Sequence, residues 1–585
     1  MRLFLLAVGC LLALAPRTRA ETPAEPLRLV SDAADLVVKI EQPRKLVEGA
    51  LNNPLLRQFQ KLEAVGEFYE STNSRRCQQL LTYFEKKLGG ERLELLERLA
   101  GGGVAFGIKF GPQPPPAVLV VQGKDDALLQ RFVTLSLQVL DQELSRQEAK
   151  DRLDRSSYRG VETFHVGKDQ FYMAAAGAAL VLSNTEKGLR SAIDLHLDGG
   201  KKSMAQRPRL AEARALLGHD PLAWVWLNMD TVRQAPGAKD IFTLPRNDAV
   251  LTVLFGNILD LGGRAPFACA GLYGQDSGYL FSVRTPAGRE GMTAALAVHV
   301  PPADQPGSRP LLEPKGVIYS SSYFLDLSQF WEQRGKLFNA KQVKDFENFN
   351  KTSRNFLAGS EFSKLLAQAG AYQRLVAVPQ LKNSYKTIPG QRIPAFGLVV
   401  EMREPAAFGK KLTAILRSLA LLATTQVKLK PVEEQYAGKT IVGYRFPEDD
   451  SYPADTDNFR FNFSPSFAVV GNQFVAGSTI ELCRELVDLV DKEHREQPTS
   501  SAATVHSQIY AAAGADMLES LKDRLFAQTM LDQAMSPAKA SEQVKAFIDW
   551  VRDLGMVQLE QHYNARDFRF DIRLIPALQQ TRRQP

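Results

Sequence analysis

The segment Ala117-Val-Leu-Val-Val-Gln-Gly-Lys-Asp-Asp-Ala127 has a counterpart in Phe396-Gly-Leu-Val-Val-Glu-Met-Arg-Glu-Pro-Ala406. Each segment begins with an apolar run that is typical of a buried strand. Each ends in acidic or proline residues that favour the start of a helix. The same passage from strand to helix therefore occurs twice in the chain. A long internal repeat of this kind determines the architecture more firmly than any single motif.

Further matched segments follow in the same order along the chain. Each match is weak alone, but their shared order indicates a duplication. We predict two tandem degenerate copies, residues 21–290 and 315–580, joined by a proline-rich linker at 291–314. The matched pairs are 158–160 with 436–438, 172–195 with 466–489, and 224–230 with 510–516.

Each copy alternates closely paired strands with helices. Residues 104–110 and 117–122 predict a hairpin, because Gly111 and the prolines after it form a stiff loop between them. A long helix is predicted from Asp126 to about Glu148. The pattern predicts an α+β fold with mainly antiparallel sheets and helices packed on one face. A parallel doubly wound sheet is the less favoured alternative, because consecutive strands come in close pairs.

Two serines mark the predicted start of a matching helix in each copy. Ser183 with Glu186 and Ser478 with Glu481 have the spacing of a capping box. The two boxes are one position apart in the alignment of the copies. Either one residue has slipped, or one of the boxes is fortuitous.

Residues 1–20 have the form of a secretory signal peptide. A positive start at Arg2 is followed by the apolar run 3–15, and the small residue Ala20 precedes the expected cleavage point. The run is too short to span a bilayer. Lipidation at Cys10 is the alternative. We therefore predict export to the periplasm or the extracellular space, with no transmembrane segment after cleavage.

Charge and cysteine usage restrict the classes of partner and site. Loss of the three arginines in residues 1–20 brings the formal net charge of +7 close to neutral, which predicts no nucleic-acid partner. The remaining cysteines, Cys77, Cys269 and Cys483, include no C-x-x-C pair. A disulfide framework or a zinc site is therefore not expected, although one long-range disulfide stays open. With 44% hydrophobic residues, each half can bury a sizeable core.

The sequence contains no recognisable catalytic motif. The glycines 101–103 precede a strand, whereas a phosphate-binding loop must follow a strand and open a helix. Ser536-Pro-Ala-Lys539 has the S-x-x-K spacing, but no K-T-G sequence accompanies it. We predict no catalytic residues and no cofactor. A hydrolase whose site is assembled from distant residues remains the enzymatic alternative.

An acidic insertion distinguishes the second copy from the first. Residues 448–458 carry clustered carboxylates where the first copy has a short turn. Calcium favours such oxygen ligands, so the insertion is a candidate calcium site, with a solvated acidic loop as the alternative. The candidate ligands are Asp449, Asp450, Asp455 and Asp457.

Three tryptophans are candidates for a ligand surface. Trp224 and Trp226 share one face of a predicted strand, and Trp331 lies in an aromatic segment of the second copy. A hydrophobic groove lined by these residues would bind a lipid or another apolar ligand. Packing of the tryptophans in the core is the alternative reading.

The layout of the chain resembles the uncharacterised exported bacterial proteins classed under domains of unknown function. The resemblance lies in the signal segment 1–20, the paired hairpin-and-helix copies and their Ala/Leu-rich helices. It implies an envelope or periplasmic location and no assigned activity. We expect a non-catalytic protein that binds or scaffolds a protein or polymer of the envelope. A carrier of a lipid or other apolar ligand, and a hydrolase, are the alternatives.

Overall fold

The computed structural model describes residues 25–577, apart from 147–150, 168–170, 276–277, 381–384, 451 and 453. The predicted signal peptide, residues 1–20, lies outside the described residues. In the described part of the chain, no helix combines the length and the apolar character that crossing a bilayer requires.

The chain divides into two compact units. The first unit consists of Met1–Val232 and Ala265–Pro286, and the second consists of Arg233–Arg264 and Ala287–Pro585. The sequence predicts one boundary near residue 290. The structure differs because residues 233–264, which separate two strands of the first unit, belong to the second.

The described residues of the first unit form one antiparallel sheet of ten strands. The strands are β1 (Leu36–Ile40), β2 (Gly103–Ile108), β3 (Ala117–Gln122), β4 (Leu153–Tyr158), β5 (Val161–Val166), β6 (Phe171–Ala176), β7 (Ala179–Ser183), β8 (Ala223–Asn228), β9 (Phe267–Gln275) and β10 (Gly278–Thr285). Their order across the sheet is β10-β9-β8-β1-β2-β3-β7-β6-β5-β4. Most neighbours are connected through hairpins or through a helix that returns to the adjacent strand.

Helices connect these strands, and short 3-10 turns lie at Pro26–Leu29 and Met204–Gln206. The helices are α1 (Pro43–Asn52), α2 (Pro54–Phe59), α3 (Glu63–Glu70), α4 (Thr72–Leu88), α5 (Arg92–Ala100), α6 (Asp126–Arg146), α7 (Glu186–Leu197), α8 (Pro208–Leu217) and α9 (Met229–Gln234). Three of them, α1, α2 and α8, begin with proline, whose missing N–H costs nothing in the first turn.

Helices cover both faces of the first unit's sheet at its third strand, β3. Leu119, Val120 and Val121 are consecutive and buried on β3, so they point alternately to opposite sides. Helices α5 and α6 pack on the side of Leu119 and Val121, and α7 packs on the side of Val120. The predicted α+β class with mainly antiparallel strands is confirmed. The helices are not confined to one face as predicted, because an uninterrupted apolar strand needs cover on both sides.

A buried carboxylate joins the start of β1 to neighbouring elements. Asp35 is 1% exposed. Its side chain accepts hydrogen bonds from Lys109 Nζ at 2.7 Å and from the backbone N–H of Phe110 at 3.0 Å. It also accepts from Asn228 Nδ2 at 3.0 Å and Thr231 Oγ1 at 2.6 Å. The four bonds satisfy a charge that would otherwise be costly to bury.

The described residues of the second unit also form ten antiparallel strands. They are β11 (Tyr319–Phe324), β12 (Ala369–Val378), β13 (Ala395–Met402), β14 (Lys430–Tyr436), β15 (Lys439–Arg445), β16 (Ser466–Val470), β17 (Gln473–Gly477), β18 (Val505–Tyr510), β19 (Met556–Tyr563) and β20 (Phe568–Ile575). Their order is β20-β19-β18-β11-β12-β13-β17-β16-β15-β14. Counted from the first strand of each unit, the two orders are the same. That the two halves of the sequence are copies of one another stays a prediction.

The second unit's helices include one long amphipathic helix in the same place as α6. They are α10 (Ala238–Phe242), α11 (Ala249–Arg264), α12 (Ala294–Ala297), α13 (Leu327–Glu332), α14 (Arg334–Leu337), α15 (Ala340–Thr352), α16 (Phe362–Gln368), α17 (Pro405–Val427), α18 (Ile480–Glu496), α19 (Ala511–Ser520), α20 (Lys522–Gln533) and α21 (Pro537–Asp553). Short 3-10 turns lie at Ser353–Asn355 and Phe459–Asn462. The long helix α17 follows the third strand of its unit, as α6 does.

The segment predicted as a linker packs within the second unit. Leu296, Ser308 and Leu312 are buried, and Ser308 pairs with Ser501 in an isolated antiparallel bridge. Residues 291–314 therefore contribute to the core of that unit. Proline alone indicates an extended backbone, and it does not distinguish a free linker from an extended segment that packs against a sheet.

Candidate functional site

One side of the second unit's sheet carries apolar side chains in register across six neighbouring strands. We call this surface the apolar face. Strand pairing places its members opposite one another, because residues directly across antiparallel strands point to the same side. Its two central rows are Leu574, Val557, Ile509, Tyr319, Ala377 and Phe396, and Ile572, Leu559, Ser507, Ser321, Leu375 and Leu398.

The large side chains of the apolar face are left partly open to solvent. Phe396 is 52% exposed, Ile509 40%, Leu398 37% and Leu375 36%. An antiparallel sheet with one solvated side normally places polar residues there. A contiguous apolar surface on central strands instead marks a place where another molecule binds.

The polar groups within the apolar face are bonded inside the unit. Ser321 and Ser507 lie on adjacent strands, and their Oγ atoms are 2.7 Å apart. Both side chains are buried. Gln373, in the next row, donates its hydrogen bond to the carbonyl oxygen of Gly370 at 3.1 Å. The polar atoms of these three side chains are therefore already hydrogen-bonded within the unit. The surface that the face presents to solvent is mainly apolar.

Helix α11 stands on the same side of the sheet. Asn257 Nδ2 donates to the hydroxyl oxygen of Tyr563 at 2.9 Å and lies 3.5 Å from Oε1 of Gln561. Along β19, every second residue points to the same side of the sheet. Tyr563 and Gln561 therefore point to the same side as Leu559 and Val557. The helix therefore borders the apolar face at one end of β19.

The solvent-facing side of α11 is itself apolar. Val250 is 68% exposed, Leu254 57%, Phe255 49% and Ile258 47%. No charged residue occurs between Asp248 and Asp260. Residues four apart share one side of a helix, so these side chains form a stripe that a solvated helix would fill with polar residues. The second unit thus presents two apolar surfaces on one side of its sheet.

The opposite side of α11 packs on a buried histidine. A Cβ atom on Gly256 would come 3.6 Å from Nε2 of His299, which is 9% exposed. Burial lowers the pKa of His299 to about 4, and a hydrogen bond with the backbone of Thr252 offsets this only in part. The imidazole is therefore neutral near pH 7. Its neutral state allows the helix to pack closely against it.

The first unit has a similar apolar region on the corresponding strands. Residues of β1, β8, β9 and β10 that point away from the α7 side are partly exposed, and Phe281 is 40% exposed. The members that face one another across the strands are Val38, Val225, Ala270 and Val283, and Ile40, Ala223, Leu272 and Phe281. A half-covered apolar sheet is thus a property of each unit.

The other side of the second unit's sheet carries a group of titratable residues. His506 Nε2 lies 4.0 Å from one carboxylate oxygen of Glu560, and His562 Nε2 lies 3.6 Å from the other. Burial lowers the pKa of His506. The nearby imidazole of His562 holds the pKa of Glu560 below its usual value. Among the described residues, no three His, Cys, Asp or Glu side chains are placed to hold a metal ion.

A serine lies beside this group, and it matters for the hydrolase alternative. Ser322 is directly opposite His506, which is directly opposite Glu560, so the three form a Ser-His-Glu row across β11, β18 and β19. Ser322 is fully buried. A nucleophile must reach its substrate within hydrogen-bonding distance of its base. The row therefore offers no accessible nucleophile.

The structure does not bring the predicted calcium ligands together. Asp455 accepts hydrogen bonds from the backbone N–H of Phe459 at 2.7 Å and from Arg460 Nη1 at 2.6 Å. The other three residues make separate contacts. These are Asp449 with Lys430 Nζ at 3.4 Å, Asp450 with Lys428 Nζ at 3.5 Å, and the Asp457 carbonyl oxygen with the Gly390 N–H at 2.7 Å. The side chains of Asp449, Asp450 and Asp455 thus pair with nearby basic residues.

The predicted tryptophan surface lies mostly in the core. Trp224 and Trp226 are 2% and 0% exposed. The indole N–H of Trp224 donates to Glu41 Oε1 at 2.7 Å, and the guanidinium of Arg207 lies 4.6 Å from the Trp226 ring. Trp331 is half-buried, with the guanidinium of Arg334 4.5 Å from its ring. The structure brings Trp224 and Trp226 together as core residues and places Trp331 elsewhere.

Sequence reasoning missed the apolar face. Its signal was present in β13, where Phe396, Leu398 and Val400 alternate with the buried Val399 and leave no polar side. Such a strand is apolar on both sides, which predicts cover on both sides. The missing information was which strands are adjacent, because Ile509 and Leu574 are far from β13 in sequence.

Residues 108–251 match the model of a family described as a protein of unknown function, DUF3352. This match confirms the predicted resemblance to proteins classed under domains of unknown function. No curated protein matches the chain. Two solved structures, crystal forms I and III of a protein named TP0453, are 12% and 9% identical, with TM-scores of 0.23 and 0.25. They cover 46% and 47% of this chain and 80% and 85% of their own. Similarity at this level carries no statement about function.

Proposed function

We propose that this chain is an exported, non-catalytic binding protein whose second unit holds the hydrocarbon part of a lipid on the apolar face. The observation that carries the proposal is the exposure of large apolar side chains on central strands, where solvent would favour polar residues. Export rests on the sequence of residues 1–20 and is part of the proposal.

The chemistry of the apolar face favours a hydrocarbon over a protein partner. Protein interfaces contain about one hydrogen bond per 100–200 Å². The serines and Gln373 in the face are bonded within the unit. A ligand without hydrogen-bonding demands, such as an alkyl chain, fits this surface better than a peptide backbone does. A protein or polymer partner remains the second reading, and the experiment below separates the two.

The available apolar surface is large enough to bind such a ligand. Completing the burial of one half-exposed Leu, Ile or Phe side chain contributes about 1 kcal/mol. Four such residues on the face and four on α11 would together contribute about 8 kcal/mol before the cost of immobilising the ligand. The resulting affinity would be micromolar at best.

A fluorescent fatty acid tests the proposal directly. Titration of the protein with cis-parinaric acid should show saturable binding, and Leu398→Lys or Ile509→Lys should weaken it about tenfold. Leu197→Lys is the matched control, because Leu197 is an exposed leucine at the end of α7, in the first unit. Native mass spectrometry of the protein recovered from its own cell envelope should show added lipid mass. Equal binding by all variants, or attached protein in place of lipid, would overturn the proposal.

A further inference from the structure

The first unit contains a cavity of about 400 Å³ between α6 and the β4–β5 hairpin. This volume lies within the range of small-molecule sites. Gln130, Thr134 and Gln138 line it from the helix, where residues four apart share one side. Arg155 and Glu162 line it from the two strands.

The buried wall of the cavity is apolar. Val133 and Leu137 of α6 and Phe164 of β5 line it, and all three are buried. His196 of α7 closes one end, and its Nδ1 atom is buried without a hydrogen-bond partner among the described residues. Burial, with a smaller contribution from Arg28, lowers the pKa of His196. The cavity thus combines apolar walls with several uncharged polar side chains and two charged ones.

The two charged groups at the cavity are only loosely paired. Arg155 Nη1 is 3.9 Å from Glu162 Oε1, which is beyond hydrogen-bonding distance. Both side chains are more than half exposed. An exposed pair at this distance contributes little to stability, so each group can bind an opposite charge on a ligand.

The second unit carries an ion pair at the equivalent place. Arg417 is the thirteenth residue of α17, as Gln138 is of α6, and Glu433 precedes Tyr436 by three residues, as Arg155 precedes Tyr158. Arg417 Nη2 donates to Glu433 Oε2 at 2.9 Å. In the first unit, the residues at these positions are Gln138 and Arg155, which cannot form this ion pair. The guanidinium of Arg155 therefore has no acidic partner on the helix at this position.

We propose that this cavity binds a zwitterionic amino acid or a short peptide. Arg155 binds the ligand's carboxylate, for which the planar guanidinium is suited. Glu162 binds the ammonium group, and the amide side chains of Gln130 and Gln138 bond to the remaining polar atoms. The ligand's apolar side chain lies against the wall formed by the buried residues.

Isothermal titration calorimetry with the dipeptide leucyl-leucine tests this assignment on the whole protein. The dipeptide should bind, whereas its uncharged analogue N-acetylleucine methylamide should not. Arg155→Ala and Glu162→Gln should each weaken binding by at least about tenfold. Arg190→Ala should leave it unchanged, because Arg190 is an exposed arginine that pairs with Glu186 outside the cavity.

A double substitution copies the ion pair of the second unit into the first. Gln138→Arg with Arg155→Glu places an ion pair like that of Arg417 and Glu433 across the cavity and should abolish binding of the dipeptide. Thermal melting checks that each variant folds. If a variant does not fold, the comparison of dipeptide and uncharged analogue on the unmodified protein decides alone. Absence of binding at about 10 mM dipeptide, or equal binding of the uncharged analogue, would overturn the assignment.

Discussion

Asn257 donates a 2.9 Å hydrogen bond to the hydroxyl oxygen of Tyr563, and both side chains are buried. The bond joins α11 to β19 over 306 positions of sequence. Burial raises the pKa of Tyr563, so the phenol stays protonated at ordinary pH. A neutral, buried amide–phenol pair thus holds the apolar helix beside the sheet.

Loss of one partner of this pair should cost more than loss of both. Asn257→Leu leaves the hydroxyl of Tyr563 buried without its donor and should lower the free energy of unfolding by about 1–3 kcal/mol. Adding Tyr563→Phe removes the unpaired hydroxyl and should recover part of that loss in the free energy of unfolding. Urea denaturation of the two single variants and the double variant measures the coupling. Strictly additive effects would show that the bond does not form.

The stability of the second unit should fall in mild acid because of His299. The pKa of this buried imidazole is about 4 in the folded protein, below its usual value of 6.5. The unfolded chain therefore takes up the proton first, and stability is lost as the pH falls from about 6.5 towards 4. Between pH 7.5 and pH 5 the loss from this group should be about 2 kcal/mol. Urea midpoints at the two pH values measure it.

His299→Gln should flatten this pH dependence, because glutamine does not titrate. His494→Gln is the control, since His494 is exposed on α18. A His299 variant with the same pH dependence as the unmodified protein would assign the acid sensitivity to other groups. Glutamine in this position should also lower the stability at pH 7.5, since the site is shaped for an imidazole.

Replacement of Asp35 should strongly destabilise the first unit. Burial alone would raise the pKa of this carboxyl, but the bonds from Lys109, Thr231, Asn228 and Phe110 outweigh burial and hold the pKa below 3.8. The charged form contributes stability above pH 3.8 that is lost as the pH falls through the lowered pKa. Asp35→Ala removes the acceptor of all four bonds and should cost about 3–5 kcal/mol at pH 7 in urea denaturation.

The matched control for Asp35 is Asp32→Ala, which alters an exposed side chain three residues earlier. It should change the urea midpoint little. Similar losses in the two variants would indicate a general sensitivity of this segment instead of a specific role for the buried carboxylate.

Polar substitutions on the apolar face should be tolerated by the fold. Phe396→Lys and Phe255→Lys replace side chains that are about half exposed. The urea midpoint should therefore shift less than it would for the same substitution at a buried residue. The same substitutions should lower the fluorescence of the dye ANS with the native protein, because the dye binds exposed apolar surface. Unchanged dye fluorescence in both variants would show that these surfaces are covered in solution.

Two of the thiols should react only after unfolding. Burial raises the pKa of Cys269 and of Cys483 to about 12, so neither forms the reactive thiolate near neutral pH. Cys77 is only half-buried. Titration with Ellman's reagent should modify Cys77 in the native protein and the other two only in denaturant. Rapid native modification of Cys483 would contradict the burial of this α18 residue in the core of the second unit.

The local features of the fold could be read from the sequence where neighbouring residues determine them. Ala117–Gln122 reads as a strand because it is a short apolar run, and the structure has β3 there. Helix starts were read less well. The predicted capping serines Ser183 and Ser478 are not the caps, since Thr185 and Thr479 accept the hydrogen bonds that begin α7 and α18. The two threonines occupy matched positions of the predicted repeat, and both serine boxes were fortuitous.

The candidate surfaces depend on contacts between distant residues, which the sequence does not order. Leu398 and Ile509 share one face because β13, β12, β11 and β18 are adjacent, and this order follows from the whole sheet. Trp224 and Trp226 share a strand face as predicted from alternation. Whether that face is covered depends on α8, which the sequence analysis did not predict. Composition alone cannot distinguish a buried indole from one that lines a ligand site.

The position of residues 233–264 in the chain also affects when the second unit can fold during synthesis. Helix α11 leaves the ribosome long before β19, the strand that receives the hydrogen bond from Asn257. Its apolar stripe therefore stays without that partner while the rest of the chain is made. A gene fragment that began at Ala287 would encode every strand of the second unit but omit this helix. The two units thus cannot be separated by a single cut in the gene.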